Sequence, residues 1–128
     1  MSPRRPPATV LVVDGANVVG ARPDGWWKDR AGAARRLHEA LLVADVPHDE
    51  VVLVLEGAAK GGARAGRDAH VRVVHAPGEG DAAIVAQAQA AAEAGARVTV
   101  VSADRALQAR CARWADTGVG PTWLLDRL

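Results

Sequence analysis

Short apolar runs alternating with helical stretches constrain this chain more than any other feature. Thr9–Val13, Val51–Leu55, Val71–His75 and Val98–Val101 are rich in Val, Leu and Thr. Runs of this kind, apolar almost throughout rather than every second residue, suit strands buried on both faces. Between the first two, Asp29–Val46 places Ala33, Leu37, Ala40, Leu41 and Ala44 at helical spacing, and Pro47 closes the segment. Gly80–Asp81 opens an alanine-rich helix that runs to about Ala94 and stops at Gly95. A further helix follows Ser102-Ala103-Asp104 and runs to about Ala115. Val119 suits a short fifth strand, and Thr122–Leu128 a final helical turn with Trp123 and Leu124 facing inward. The glycine-rich, basic segment Ala58–Asp68 has no periodicity and reads as a mobile loop. Alternation of this type predicts an α/β fold, three layers α/β/α, around a parallel sheet of four to five strands.

A chain of 128 residues suffices for one domain with a real core. There are four Trp and no Tyr or Phe, so Val, Leu and Ala must build that core. Residues 1–7, with three prolines and two arginines, read as a disordered tail, and 8–128 as the single domain. A net charge of +1 is too small for the whole molecule to attract an anion, so any such binding needs a local patch. Cys111 stands alone, which excludes a disulfide or a cysteine-based zinc site within one chain. No segment approaches the roughly 18 apolar residues of a membrane span, and Ala8–Val13 is too short for a secretory leader. The expected setting is cytoplasmic.

In an open parallel sheet, ligands bind outside the carboxyl ends of the strands. Acids recur at that edge. Asp14 ends the first strand, Glu56 follows the second, Asp104 comes shortly after the fourth, and Asp81 starts the helix before it. Asn17, three residues after Asp14, adds a neutral oxygen. Singly, each has a structural alternative: Asp14-Gly15 as a turn former, Asp81 and Asp104 as helix caps, Glu56 as a solvated loop residue. Together, carboxylates gathered on one rim repel one another unless a cation intervenes. Oxygen ligands without Cys or a His pair suit Mg²⁺ or Mn²⁺ rather than zinc. A carboxylate-held ion of this type usually meets a substrate phosphate, and phosphodiester hydrolysis is the reaction it serves.

These residues also carry a resemblance. Val12-Val13-Asp14-Gly15-Ala16-Asn17-Val18, then Gly80-Asp81 opening a helix, then Val101-Ser102-Ala103-Asp104-Arg105-Ala106-Leu107 resemble the NYN branch of the PIN-like nucleases, and within it the YacP-like members. The similarity spans Thr9 to Ala115. It implies a PIN-like fold, Mg²⁺ or Mn²⁺, and endonucleolytic cleavage of single-stranded RNA. It assigns the catalytic and metal roles to Asp14, Asp81 and Asp104, with Asn17 supporting Asp14 and Ser102 helping to hold the site. Two positions depart from the pattern. Ala106 stands where some relatives have a second aspartate, and Glu56 stands where close relatives have Asp.

Basic and aromatic residues supply candidate RNA contacts. Lys60, Arg64 and Arg67 decorate the glycine-rich segment, and Arg105 follows Asp104. Trp26-Trp27-Lys28, followed by Arg30, could stack and hold unpaired bases. Because adjacent residues do not share a face, one Trp should be buried and the other exposed. Asp29 fits the cap of the following helix, and His75 a hydrogen-bonded structural role. A dinucleotide enzyme is set aside because no G-x-G-x-x-G follows the first strand, and a haloacid-dehalogenase-like phosphatase because Ala16 replaces its second aspartate. The main readings are a metal-dependent endoribonuclease and a non-catalytic adaptor that binds RNA or the ribosome on the same scaffold, with a toxin-type nuclease restrained by a partner as a third. The oligomeric state is not legible.

Overall fold

The computed structural model describes residues 6–128. The expected tail falls mostly on residues 1–5, outside the described residues; Pro6 and Pro7 carry no regular secondary structure. Six strands form one sheet: β1 (Thr9–Asp14), β2 (Glu50–Leu55), β3 (Gly66–Asp68), β4 (Val71–His75), β5 (Arg97–Val101) and β6 (Thr117–Val119). Their order across the sheet is β3-β4-β2-β1-β5-β6. All neighbours are parallel except β3, which runs antiparallel to β4 at the edge. The helices are α1 (Gly15–Gly20), α2 (Arg30–Val43), α3 (Gly80–Glu93), α4 (Arg105–Cys111) and α5 (Pro121–Leu125).

Burial on both faces follows from the uninterrupted apolar strands. Leu11 and Val13 of β1, with Leu53 and Leu55 of β2, point to one side and pack with Val18 of α1, Leu37 and Leu41 of α2 and Leu124 of α5. Val10, Val12, Val52 and Val54 point to the other, against Ile84 and Ala88 of α3 and Leu107 and Cys111 of α4. Each fully buried Val or Leu contributes about 1.5–3 kcal/mol. Truncating Leu53, fully buried at the centre of β2, would cost about 2–5 kcal/mol through lost burial and a cavity. The expected three-layer α/β arrangement is the observed one.

Two local readings are corrected. The segment expected to be a mobile loop is ordered: Gly57–Gly62 forms a 3₁₀ turn and Gly66–Asp68 is the edge strand β3. The turn lies against α2, where a side chain at Gly62 would run into the Ala31 carbonyl. Glycine here permits close packing, a role that carries no periodicity. The edge strand brings the count to six rather than four or five. Also, α4 ends at Cys111, short of Ala115.

This topology marks a candidate edge for function. From β1 the chain builds outward through β2 to β4, then α3 carries it back across the sheet to β5 on the other side of β1. Strand order therefore reverses between β1 and β5, the place where open α/β sheets bind ligands.

Candidate active site

Asp14 lies at that reversal. It is the last residue of β1, level with Val54 of β2, and it caps α1. Helix α1 can start there because Gly15 has no side chain: a Cβ would lie 2.6 Å from the Val54 carbonyl oxygen and 2.9 Å from Leu55. The glycine in the Asp-Gly pair thus serves close packing against β2, not a turn. Asp14 is only 7% exposed. Its Oδ2 accepts from the Ser102 hydroxyl at 2.8 Å and its Oδ1 from the Asn17 amide at 3.4 Å. Burial pushes its carboxyl above the usual carboxylate range; the Ser102 and Asn17 bonds act against this, while the charges of Asp81 and Glu56 add to it.

Ser102 joins β1 to the turn after β5. It is 3% exposed; its hydroxyl donates to Asp14 and accepts from the Asp104 amide at 3.1 Å. Asn17 closes the same corner, its side-chain oxygen accepting from the Ala103 amide at 2.8 Å. Gln108, which the sequence reading missed, braces the turn from below. Its side-chain amide donates to the carbonyls of Val100, Ser102 and Val119. A polar residue between the buried Leu107 and Cys111 of α4 was the available signal.

The remaining acids are divided between structure and rim. Asp104 caps α4, its Oδ1 accepting from the Leu107 amide at 3.1 Å; its other oxygen accepts nothing from the described residues. Glu56 accepts through Oε2 from the Gly80 amide that opens α3. Asp81, in the first turn of α3, lines an open depression with His75, Glu79 and Arg110. Arg110 was not among the expected contacts. His75 itself is tied down, since its Nε2–H donates to the Ala63 carbonyl at 2.7 Å, as a structural histidine would. Among the described residues no three His, Cys, Asp or Glu side chains are grouped to hold a metal ion. The expectation that Asp14, Asp81 and Asp104 converge on one ion is therefore not met as a ready-made cage. One oxygen of Asp104 is held by the Leu107 amide and one of Glu56 by the Gly80 amide, leaving each acid a single oxygen. The donors left at the rim are nonetheless carboxylate oxygens, and Mg²⁺ is commonly held by one or two carboxylates with waters and substrate phosphates. Asp14, raised by burial and further by two neighbouring acids, is a group that a cation would relieve. The donor chemistry fits a hard divalent ion in an open site.

The basic and aromatic candidates separate clearly. Arg67 is not at the rim: it sits on β3 and pairs with Glu50 at the start of β2. Lys60 lies in the 3₁₀ turn and is half-buried, while Arg64, Arg105 and Lys28 are exposed. Trp26 is half-buried and Trp27 is 57% exposed, so neither fills the core. Asp29 caps α2 through the Gly32 amide at 2.8 Å, as expected. Arg30 lies over the Trp26 ring and lines a cleft with Glu56 beside Gly15 and Ala16.

The arrangement of strands and helices is matched in a solved structure. The chain shares the fold of Rae1. The superposition with Rae1 (YacP) from Bacillus subtilis has a TM-score of 0.59 and covers 92% of this chain and 73% of that one. Sequence identity over the match is 18%, so the likeness speaks for architecture. No protein-family model matches the chain, and no curated protein sequence does either. No helix among the described residues is long and apolar enough to cross a membrane.

Proposed function

We propose that this protein is a metal-dependent endoribonuclease that hydrolyses phosphodiester bonds of single-stranded RNA. One observation carries the reading: Asp14 is fixed at the strand-order reversal by Ser102, its carboxyl is raised first by burial and further by Asp81 and Glu56, and among the described residues no basic side chain pairs with it. Structural economy alone would not maintain such a group, because burying an uncompensated charge is costly. The D-G-x-N-V and S-x-D-R elements that resemble YacP-like nucleases bracket this same corner, and the fold neighbour bears the YacP name.

In this reading Asp14 and Asp81 hold Mg²⁺ or Mn²⁺, with Asp104 as third donor through the oxygen outside its cap bond. When bound, such an ion neutralises phosphate charge and lowers the pKa of a water. The chain's own contribution is positioning. Ser102 and Asn17 fix Asp14 relative to the β5–α4 turn, and Gln108 fixes that turn relative to the sheet. Arg105, Arg110, Lys60 and Arg64 supply positive charge around the rim for the RNA backbone. Arg67, engaged by Glu50, is left out.

Incubation of labelled single-stranded RNA with Mn²⁺ tests the proposal, using wild type beside Asp14→Asn and Asp104→Asn. Cleavage by wild type that chelator stops and Asp14→Asn loses is the expected result. Equal cleavage by all three would indicate a contaminant and remove the enzyme reading. The absence of a ready-made three-acid cage favours a second reading, an adaptor that binds RNA or the ribosome without cutting. That protein would bind RNA equally with chelator and would never cleave it.

A further inference from the structure

The cleft beside Trp26 is a built feature that the cleavage chemistry does not use. It is a small, open cleft of about 70 Å³, below the roughly 300–1,000 Å³ of pockets that enclose a whole ligand, so it would admit only part of one. Trp26 forms one wall, Gly15, Ala16 and Ala59 keep it clear of bulk, and Arg30 and Glu56 line it with opposite charges. Trp27 and Trp26 make a T-shaped contact, with ring centroids 6.0 Å apart. The Arg30 guanidinium lies 5.6 Å from the Trp26 centroid. Among the described residues neither Arg30 nor Glu56 forms an ion pair, although they line one cleft. Glu56 uses Oε2 for the Gly80 amide, and its Oε1 accepts no hydrogen bond from the described residues.

We infer that this cleft holds one unpaired nucleobase next to the scissile bond and favours guanine. The inference rests on the nuclease reading for its substrate class. An aromatic wall is what a base needs for stacking, and stacking alone does not discriminate among bases. Discrimination comes from the two charged groups. Arginine donates and cannot accept, whereas a carboxylate accepts. Guanine presents O6 and N7 acceptors, the commonest specific partners of arginine. It also presents adjacent N1–H and N2–H donors, which suit a carboxylate oxygen. Gly15 and Ala16 directly follow Asp14, so a base in the cleft belongs to the nucleotide beside the phosphate at that acid.

The test is binding without metal, measured by fluorescence anisotropy on labelled oligouridine heptamers whose central base is G, inosine, A or U. Wild type should bind the G heptamer tightest, with inosine, which lacks the N2 amine, intermediate. Trp26→Ala should weaken the G heptamer about 10-fold, and Trp26→Phe should recover most of the loss. Glu56→Gln, which keeps an oxygen for the Gly80 amide, should reduce the preference for G over U to the part that Arg30 supplies. Should Trp26→Ala fail to fold, Trp26→Phe and Glu56→Gln decide. Equal binding of all four heptamers, or a folded Trp26→Ala that binds like wild type, would overturn the inference. Cleavage with Mn²⁺ but without base preference sinks the cleft and spares the nuclease. Base-selective binding without cleavage does the reverse.

Discussion

Two acids are buried in neighbouring strands of this sheet, and they are treated in opposite ways. Glu50 begins β2 and Asp14 ends β1, with 6% and 7% of their surfaces exposed. Glu50 receives two arginines: Arg67 from β3, and Arg72 of β4 at 3.7 Å, which also donates to Gln87 at 2.9 Å. Asp14 receives a hydroxyl and an amide, and its nearest charged influences are two further acids. A buried charge that is neutralised locally serves the fold; here it fastens the edge strand β3. On the proposed reading, Asp14, without a counter-charge among the described residues, would take one from a bound ion.

The contrast can be broken by exchanging charge for amide at each end. Asp14→Asn should lower RNA cleavage by about 100-fold or more, as loss of a main electrostatic contributor does. Its melting temperature without metal should be unchanged or higher, because the burial penalty is removed. A large loss of stability in that variant would class Asp14 with Glu50. Glu50→Gln should do the opposite, costing about 1–3 kcal/mol in denaturant unfolding while leaving cleavage by the folded fraction intact. The figure is reduced from that of a fully buried pair because both arginines are about a third exposed.

Metal addition sharpens the comparison further. Saturating Mn²⁺ should stabilise wild type by about 1–3 kcal/mol through binding to the folded state. Glu50→Gln should gain as much, and Asp14→Asn little; equal gains in all three would place the ion elsewhere. The smallest effect concerns His48, half-buried near the amino-terminal end of the sheet. Its Nε2 lies 3.3 Å from the Thr99 hydroxyl and its Nδ1 is buried without a partner among the described residues. Burial lowers its pKa, partly offset by Asp49. The unfolded chain therefore binds a proton here before the folded one does. Its contribution to stability is complete above the unfolded value of about 6.5 and falls as pH drops through the lowered folded value. Thermal melts between pH 7 and 5 should show a shallow decline that His48→Gln flattens.

Much of this was legible from sequence because it depends on local patterns. Uninterrupted apolar strands imply a sheet covered on both faces, and strands β1, β2, β4 and β5 fall where their runs do. Asp29 and Asp104 were legible as caps because capping is a short-range bond between a side chain and an amide three residues on. The position of acids at strand ends also follows from local order alone.

What the tertiary structure alone decided is which partner each charge meets. Arg67 and Lys60 look alike in a basic, glycine-rich stretch, yet Arg67 turns to Glu50, 17 residues away in the chain, and Lys60 does not. Glu56 and Asp14 look alike at strand ends, yet one is used by the Gly80 amide and the other by Ser102, 88 residues distant. The segment 57–68 is ordered because Gly62 fits against α2 and β3 pairs with β4. Periodicity records which face of an element is apolar, a property of neighbours along the chain. Charge pairing and close backbone approach are properties of neighbours in space, and they exist only once the sheet has brought its strands side by side.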